Sequence, residues 1–212
     1  MYVTGSNSKF LSSDVITQFR GRGDEIRVYP LSFSEYVSVY QGSQDEAWDD
    51  YLVYGGLPLI LTMEEAEDKA EYLNSLFQKV YISDIVERHN VRNKAELDEL
   101  VDVLASAIGS YTNQSKLVRT FKSVKNKNIS DKTIKNYTDY LIDSYLISKA
   151  DRYDIKGKKH IGKLSKYYFE DVGLRNARLG FRQIEETHLM ENIIYNELRV
   201  RGYHVAVSYT HL

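Results

Sequence analysis

Residues 129–159, ISDKTIKNYTDYLIDSYLISKADRYDIKGKK, run from an amphipathic helix through a strand into a basic turn, and this succession decides how the chain is read. Ile134, Tyr137, Leu141 and Ile142 recur at three- and four-residue steps, the period of one helix face, with Ser130 or Asp131 as the cap. Leu146 to Tyr153 is strand-like, and Ile155-Lys156-Gly157-Lys158-Lys159 is a basic turn. Two more helices precede it. Leu97, Leu100, Val101, Leu104 and Ile108 line the first, and Leu117, Val118 and Phe121 line the second, which Asn113 or Ser115 caps. Three helices with short loops followed by a hairpin read as a winged helix over residues 96–165, with the basic turn at the wing's tip.

Toward the N-terminus, residues 1–62 alternate strand and helix. Tyr2-Val3-Thr4 reads as the end of a buried strand running into the polar loop Gly5 to Ser8, and a helix capped by Ser12 or Ser13 follows to Phe19. Gly21-Arg22-Gly23 ends that helix, and Ile26 to Tyr29 alternates as a strand does. Ser32, Ser34 and Glu35 open another helix, Trp48, Tyr51 and Leu52 form the apolar side of the next, and Gly55-Gly56-Leu57-Pro58 breaks it. Residues 63–95 carry a long linking helix from Glu64 to about Arg88, with Ala66, Ala70, Leu73, Phe77, Val80 and Tyr81 on its apolar side. After the wing, Tyr167-Tyr168-Phe169 is a strand that Asp171-Val172-Gly173 turns. A helix from about Glu186 to Arg201 points Leu189, Ile193, Ile194 and Leu198 inward, Gly202 caps it, and Tyr203 to Val207 begins a strand. The expected class is mixed α/β, mainly helical. An interrupted strand at each end gives the expectation of a truncated chain.

The composition is that of an ordinary globular chain, with 42% hydrophobic and 27% charged residues. There is no cysteine, which excludes disulfides and thiolate zinc sites, and the five histidines show no paired ligand spacing. No apolar run is long enough to span a bilayer and the first residues lack a signal-peptide layout, so the expectation is a cytoplasmic protein without a membrane partner. Charge is segregated: residues 1–111 hold 9 Lys/Arg against 19 Asp/Glu, and residues 112–170 hold 14 against 6. The first is thus -10 and the second +8, which points to different partners for different parts, or to solvated faces.

Six segments in order, TGSNS at 4–8, GRG with PLSFSEY at 21–36, YGGLP at 54–58, YISDIVERHNVRN at 81–93, YYFEDVGLRNARLG at 167–180 and ENIIYNELRVRGY at 191–203, resemble a large prokaryotic ATPase family. Its members have an AAA-type P-loop domain and then a C-terminal domain of unknown function, built from a winged helix and a region similar to restriction-endonuclease-like folds. The resemblance implies the end of an ATPase core and lid over 1–62, a linker helix over 63–95, the winged helix over 96–165 and a truncated nuclease-like region over 166–207. Residues 208–212 depart from the pattern and resemble a translated sequencing adapter, so no function is read into His211.

In this resemblance ATP and magnesium serve the intact protein. The chain has no GxxxxGK[ST] phosphate loop and no apolar run ending in Asp-Glu, so no ATP binding or turnover is expected of it alone. Asn7 or Ser6 takes the sensor position, hydrogen-bonding the γ-phosphate or attacking water; otherwise it is only part of a turn. Of Arg20 and Arg22, Arg22 is the preferred arginine near the nucleotide, where a guanidinium neutralises developing charge, the alternative being a surface charge at a helix end. Gly55, Gly56 and Pro58 resemble a turn that lies against adenine in related ATPases, or simply break a helix between subdomains.

The winged helix raises double-stranded DNA or a protein as partner. Lys116, Arg119, Lys122, Lys132 and Lys135 lie on its second and third helices, and Lys156, Lys158 and Lys159 on the wing. Lysine-rich surfaces contact phosphates rather than read bases. Glu191 and Glu197 occupy the helix where a nuclease-like fold places an acid, against the plainer reading of Glu191 as a capping or salt-bridging residue near Arg175 or Arg199; one carboxylate does not hold magnesium. Three functions are therefore open: a regulatory or signalling ATPase fragment, a DNA-binding or protein-docking winged helix, and, ranked last, a nuclease fragment. Oligomeric state is not legible.

Overall fold

The structure, a computed structural model, describes residues 26–124, 128–154, 159–182 and 184–207. The expected strand at Tyr2 to Thr4, the helix ending at Phe19 and the tail 208–212 lie outside these residues.

Helices α1 (Phe33–Val39) and α2 (Gln44–Tyr54) each start with a capping box, Ser32 with Glu35 and Ser43 with Glu46, in which serine and glutamate satisfy each other's backbone N–H groups. Ile26 to Tyr29 is not the expected strand. Ile26 and Val28 are 83% and 88% exposed, and no strand among the described residues runs beside them to pair. A 3₁₀ turn, Pro58–Thr62, leads into α3 (Ala66–Leu76), a π-helical segment (Phe77–Ile82) and α4 (Ser83–Arg88). The long helix is therefore present but loosened in its middle. Leu73, Phe77, Ile82 and Ile85 are its fully buried residues, and the five-residue step from Phe77 to Ile82 is the one a π turn accommodates.

Helices α5 (Lys94–Ser106), α6 (Gln114–Val124) and α7 (Asp131–Asp143) follow in the expected places. Asn93, Asn113 and Ser130 cap them, each side-chain oxygen accepting a first-turn N–H. Strands β1 (Ile147–Asp154) and β2 (Lys159–Phe169) pair antiparallel from Ile147 opposite Phe169 to Asp154 opposite Lys159. Thr112, between α5 and α6, adds a single antiparallel bridge to Ser165 of β2, with N–H···O distances of 2.9 Å both ways. Because β2 is unbroken, the expected domain boundary at 165/166 falls inside one strand.

The Asp171-Val172-Gly173 turn is replaced by a helix, α8 (Val172–Arg178), which Asp171 caps and whose Val172, Leu174 and Ala177 are buried. Helix α9 (Glu186–Val200) buries Leu189, Asn192, Ile193 and Tyr195, while Ile194, expected inward, is 53% exposed. The reason is Asn192: its amide accepts from Phe169 N and donates to Phe169 O, both at 2.8 Å, which turns the inward face toward the end of β2. Only Val207 of the last expected strand pairs, in a parallel bridge to Arg152.

The result is mixed α/β and mainly helical. One apolar cluster joins α3 to α7 with β1, β2 and Leu174 and Ala177 of α8. A second joins Tyr36 of α1 and Ala47, Tyr51 and Leu52 of α2 to Val172, Leu189 and Ile193. Helix α8 faces both. No helix among the described residues is long and apolar enough to cross a membrane.

Candidate functional site

Residues far apart in the sequence meet where the C-terminus of α2 abuts the N-terminus of α8. Both ends have unsatisfied backbone groups by the nature of a helix, carbonyls on α2 and N–H groups on α8. Asn176 donates its amide to Leu52 O at 3.0 Å and Val53 O at 2.9 Å, satisfying the first set. Asp171 accepts from Leu174 N at 3.1 Å and, across 115 positions of sequence, from Gly56 N at 2.8 Å. Two glycines permit the approach. Gly55 takes φ +77°, and a Cβ there would lie 2.6 Å from Asp171 Cγ; a Cβ on Gly173 would overlap the Tyr54 carbonyl.

The far side of α8 holds α5. Arg175, 2% exposed, donates Nε to Ala105 O at 3.0 Å and a terminal nitrogen to Asn176 Oδ1 at 3.0 Å. Arg178 donates Nε to Asp102 at 2.6 Å. One seven-residue helix thus ties the N-terminal pair α1–α2 to the three-helix unit.

Burial pushes the Asp171 carboxyl up to about 6, against the backbone N–H groups of Gly56, Leu174 and Gly173, which favour its charged form. The unfolded side chain ionises near about 3.9. Between these values the folded state holds the proton and the unfolded state does not, so the contribution of Asp171 is fully present below about pH 4 and is lost as pH rises through about 6. In Asp171→Asn, urea midpoints at pH 4 and pH 7 are expected to show the variant gaining on the natural chain by about 1–3 kcal/mol as pH rises. A gap that stays constant would mean that Asp171 ionises normally in the fold.

Beside this junction, Glu170 accepts from Arg27 at 2.9 Å, Arg199 at 2.8 Å and Ser148 Oγ. Burial works against the Arg199 charge, but Glu170 holds its pKa above the ordinary value. Arg27 also lies over the rings of Tyr29 and Tyr145, so residues before α1 are fixed to the β1–β2 hairpin and α9.

Of the residues singled out from sequence, Ser6, Asn7, Arg20, Arg22, Lys156 and Lys158 lie outside the described residues; Lys159 begins β2. Gly55 and Gly56 are buried against Asp171 and Leu31, whereas Pro58 is exposed. Lys116, Arg119, Lys132 and Lys135 are exposed, and Lys135 pairs with Asp139 at 2.8 Å. Glu191 is bound neither to Arg175 nor to Arg199: it accepts from Lys166 Nζ at 2.7 Å and Tyr168 OH at 2.5 Å. Glu197 pairs with Arg201. Among the described residues no three His, Asp or Glu side chains converge as metal ligands do. The sequence reading missed Asp171, Asn176, Glu170 and Arg199; the available signal was an Asp two residues after a buried strand with apolar residues three and six positions on, the signature of a capped helix.

The model of a family described as "Domain of unknown function (DUF8612)" matches residues 45–185. The chain belongs to this family. Its match contains α8 whole and α2 from its second residue on, so both sides of the junction are internal to the domain of unknown function. An AAA domain model matches residues 1–37 and ends within α1. An uncharacterized protein of Haemophilus influenzae is 35% identical over 97% of this chain and 52% of its own length. One of Methanocaldococcus jannaschii is 29% identical over 96% of this chain and 48% of its own length. The chain spans about half the length of the curated relatives it matches.

Proposed function

We propose that the chain is part of a regulatory or signalling AAA-type ATPase, in which the domain of unknown function moves as one body with the segment that follows the nucleotide-binding core. The observation that carries this reading is the AAA match over residues 1–37, whose last residues are built into the neighbouring domain. Tyr36, fully buried, packs with Tyr51 and Val172, and Leu31 N donates to Gly56 O at 2.8 Å. In this reading Asn7 or Ser6 is the sensor group and Arg22 is the charge-neutralising arginine. The Gly55–Gly56 turn fits a base better than a phosphate. Gly56 N–H is already used by Asp171, and what the turn turns outward is apolar: Pro58 and Leu59. Bound ATP with magnesium would supply the phosphoryl-transfer chemistry; this chain's own residues would set the position of the turn against the nucleotide.

The test uses the longer Haemophilus influenzae relative. Replacing by Ala the residues aligned with Asn7 and Arg22 is expected to lower ATP turnover at least tenfold, on the order of 10³ where an arginine stabilises the transition state. The chain of residues 1–212 alone is expected to show no turnover above its Arg22→Ala variant. Turnover insensitive to those positions, or hydrolysis by 1–212 alone, would remove the reading.

A second reading, a winged-helix module over the three helices and hairpin that contacts double-stranded DNA or docks a protein, is favoured by one further observation. The Thr112–Ser165 bridge sets the link between the first two helices against the edge of the hairpin, the place a short strand takes in such a module.

A further inference from the structure

The three helices of this unit carry very different charge. In α5, Lys94 stands against Glu96, Asp98, Glu99 and Asp102; in α7, Lys132 and Lys135 stand against Asp131, Asp139 and Asp143. Helix α6 has Lys116, Arg119 and Lys122 and no acid. All three basic residues are exposed, and they follow one another at three-residue steps, so they sit on one side of the helix across from buried Leu117 and Phe121. Lys116 is held in place at its start, donating Nζ to Tyr111 O at 2.9 Å. The two helices are also unlike in what their lysines face. Lys135 is neutralised within α7 by Asp139, while α6 offers its cations no carboxylate of its own.

We propose that the α6 stripe, Lys116–Arg119–Lys122, is a contact for the phosphate backbone of double-stranded DNA, and that α7, despite its place as third helix, carries little of the binding. The inference deepens the winged-helix reading and rests on it. From Lys116 to Lys122 the helix rises roughly 9 Å, a length over which duplex DNA presents about five charges. The stripe therefore meets a run of phosphates with three cations at a spacing that requires no bending. Such contacts position a duplex without reading its bases. The duplex would lie along α6.

The test is fluorescence anisotropy of a labelled duplex of about 24 base pairs with the full chain, from about 50 to about 300 mM KCl. The variants are Lys116→Ala/Arg119→Ala/Lys122→Ala and Lys132→Ala/Lys135→Ala, with circular dichroism melts to show that both fold. The triple variant is expected to bind at least tenfold more weakly at the lowest salt and to lose about 2–3 from the slope of log K against log salt; the double variant is expected to stay within threefold. Arg119→Glu alone, a reversal at an exposed position, is expected to reproduce most of the loss. Binding that the double variant loses and the triple keeps would move the contact to α7, sinking the α6 assignment while sparing the DNA reading. Absence of salt-dependent binding by the natural chain would sink both. Equal binding of polyglutamate would replace DNA by an acidic protein partner.

Discussion

Gly55→Ala is expected to destabilise the chain by about 3–5 kcal/mol, with the midpoint of thermal unfolding falling on the order of 10 °C. Two costs fall on the same atom. Gly55 adopts φ +77° and ψ -165°, a region that only glycine occupies without strain, at a cost of about 1–3 kcal/mol for other residues. The new methyl would also lie 2.6 Å from Asp171 Cγ. The carboxylate must then retreat, and the Gly56 N–H it accepts is left buried without its partner, at about 1–3 kcal/mol more. Differential scanning calorimetry of the natural and variant chains measures the sum. A loss below about 1 kcal/mol would show that the turn and α8 are not in contact as described.

Arg175→Ala is expected to cost a similar amount, about 3–5 kcal/mol. The side chain is 2% exposed and among the largest that are fully buried, so truncation opens a cavity. It also strips Ala105 O, one of the last carbonyls of α5, and Asn176 Oδ1 of their donor. Burial already pulls the Arg175 pKa below its ordinary value. Arg175→Met separates the two effects: it refills much of the volume and removes a costly buried charge, but leaves both oxygens unpaired. Urea midpoints at unchanged m-value are expected to order the chains natural, Met, Ala. Met as unstable as Ala would make the hydrogen bonds, rather than the volume, the dominant loss.

The elements with strong periodicity were legible in sequence. Leu97 to Leu104, Leu117 to Phe121 and Ile134 to Ile142 all appeared as helices, with Asn113 and Ser130 as caps, because apolar spacing and capping are both local; Ile108, expected on the first helix, lies just past its end. What failed depends on partners distant in sequence. Asp171 to Gly173 looks like a turn until the carbonyls of α2 lie against it, and Ile194 looks buried until the Asn192 amide claims the inward position. The α/β alternation at Ile26 to Tyr29 does not by itself make a strand, since a strand needs a neighbour. The polar junction residues were overlooked because buried charge is rare and leaves no periodic trace. Glu191 was read with the wrong partner for the same reason: Lys166 reaches it only once β2 and α9 are packed.

The bond from Asp171 to Gly56 also sets a schedule. The two residues are separated by 115 positions, and at about 5–20 residues per second a ribosome needs roughly 6 to 23 s to synthesise the stretch between them. For that interval the Gly56 N–H and the Leu52 and Val53 carbonyls at the end of nascent α2 lack their native side-chain partners. The N-terminal pair of helices is thus available to trigger factors and proteases before the rest exists, and its last step of consolidation is timed by translation rather than by its own folding rate.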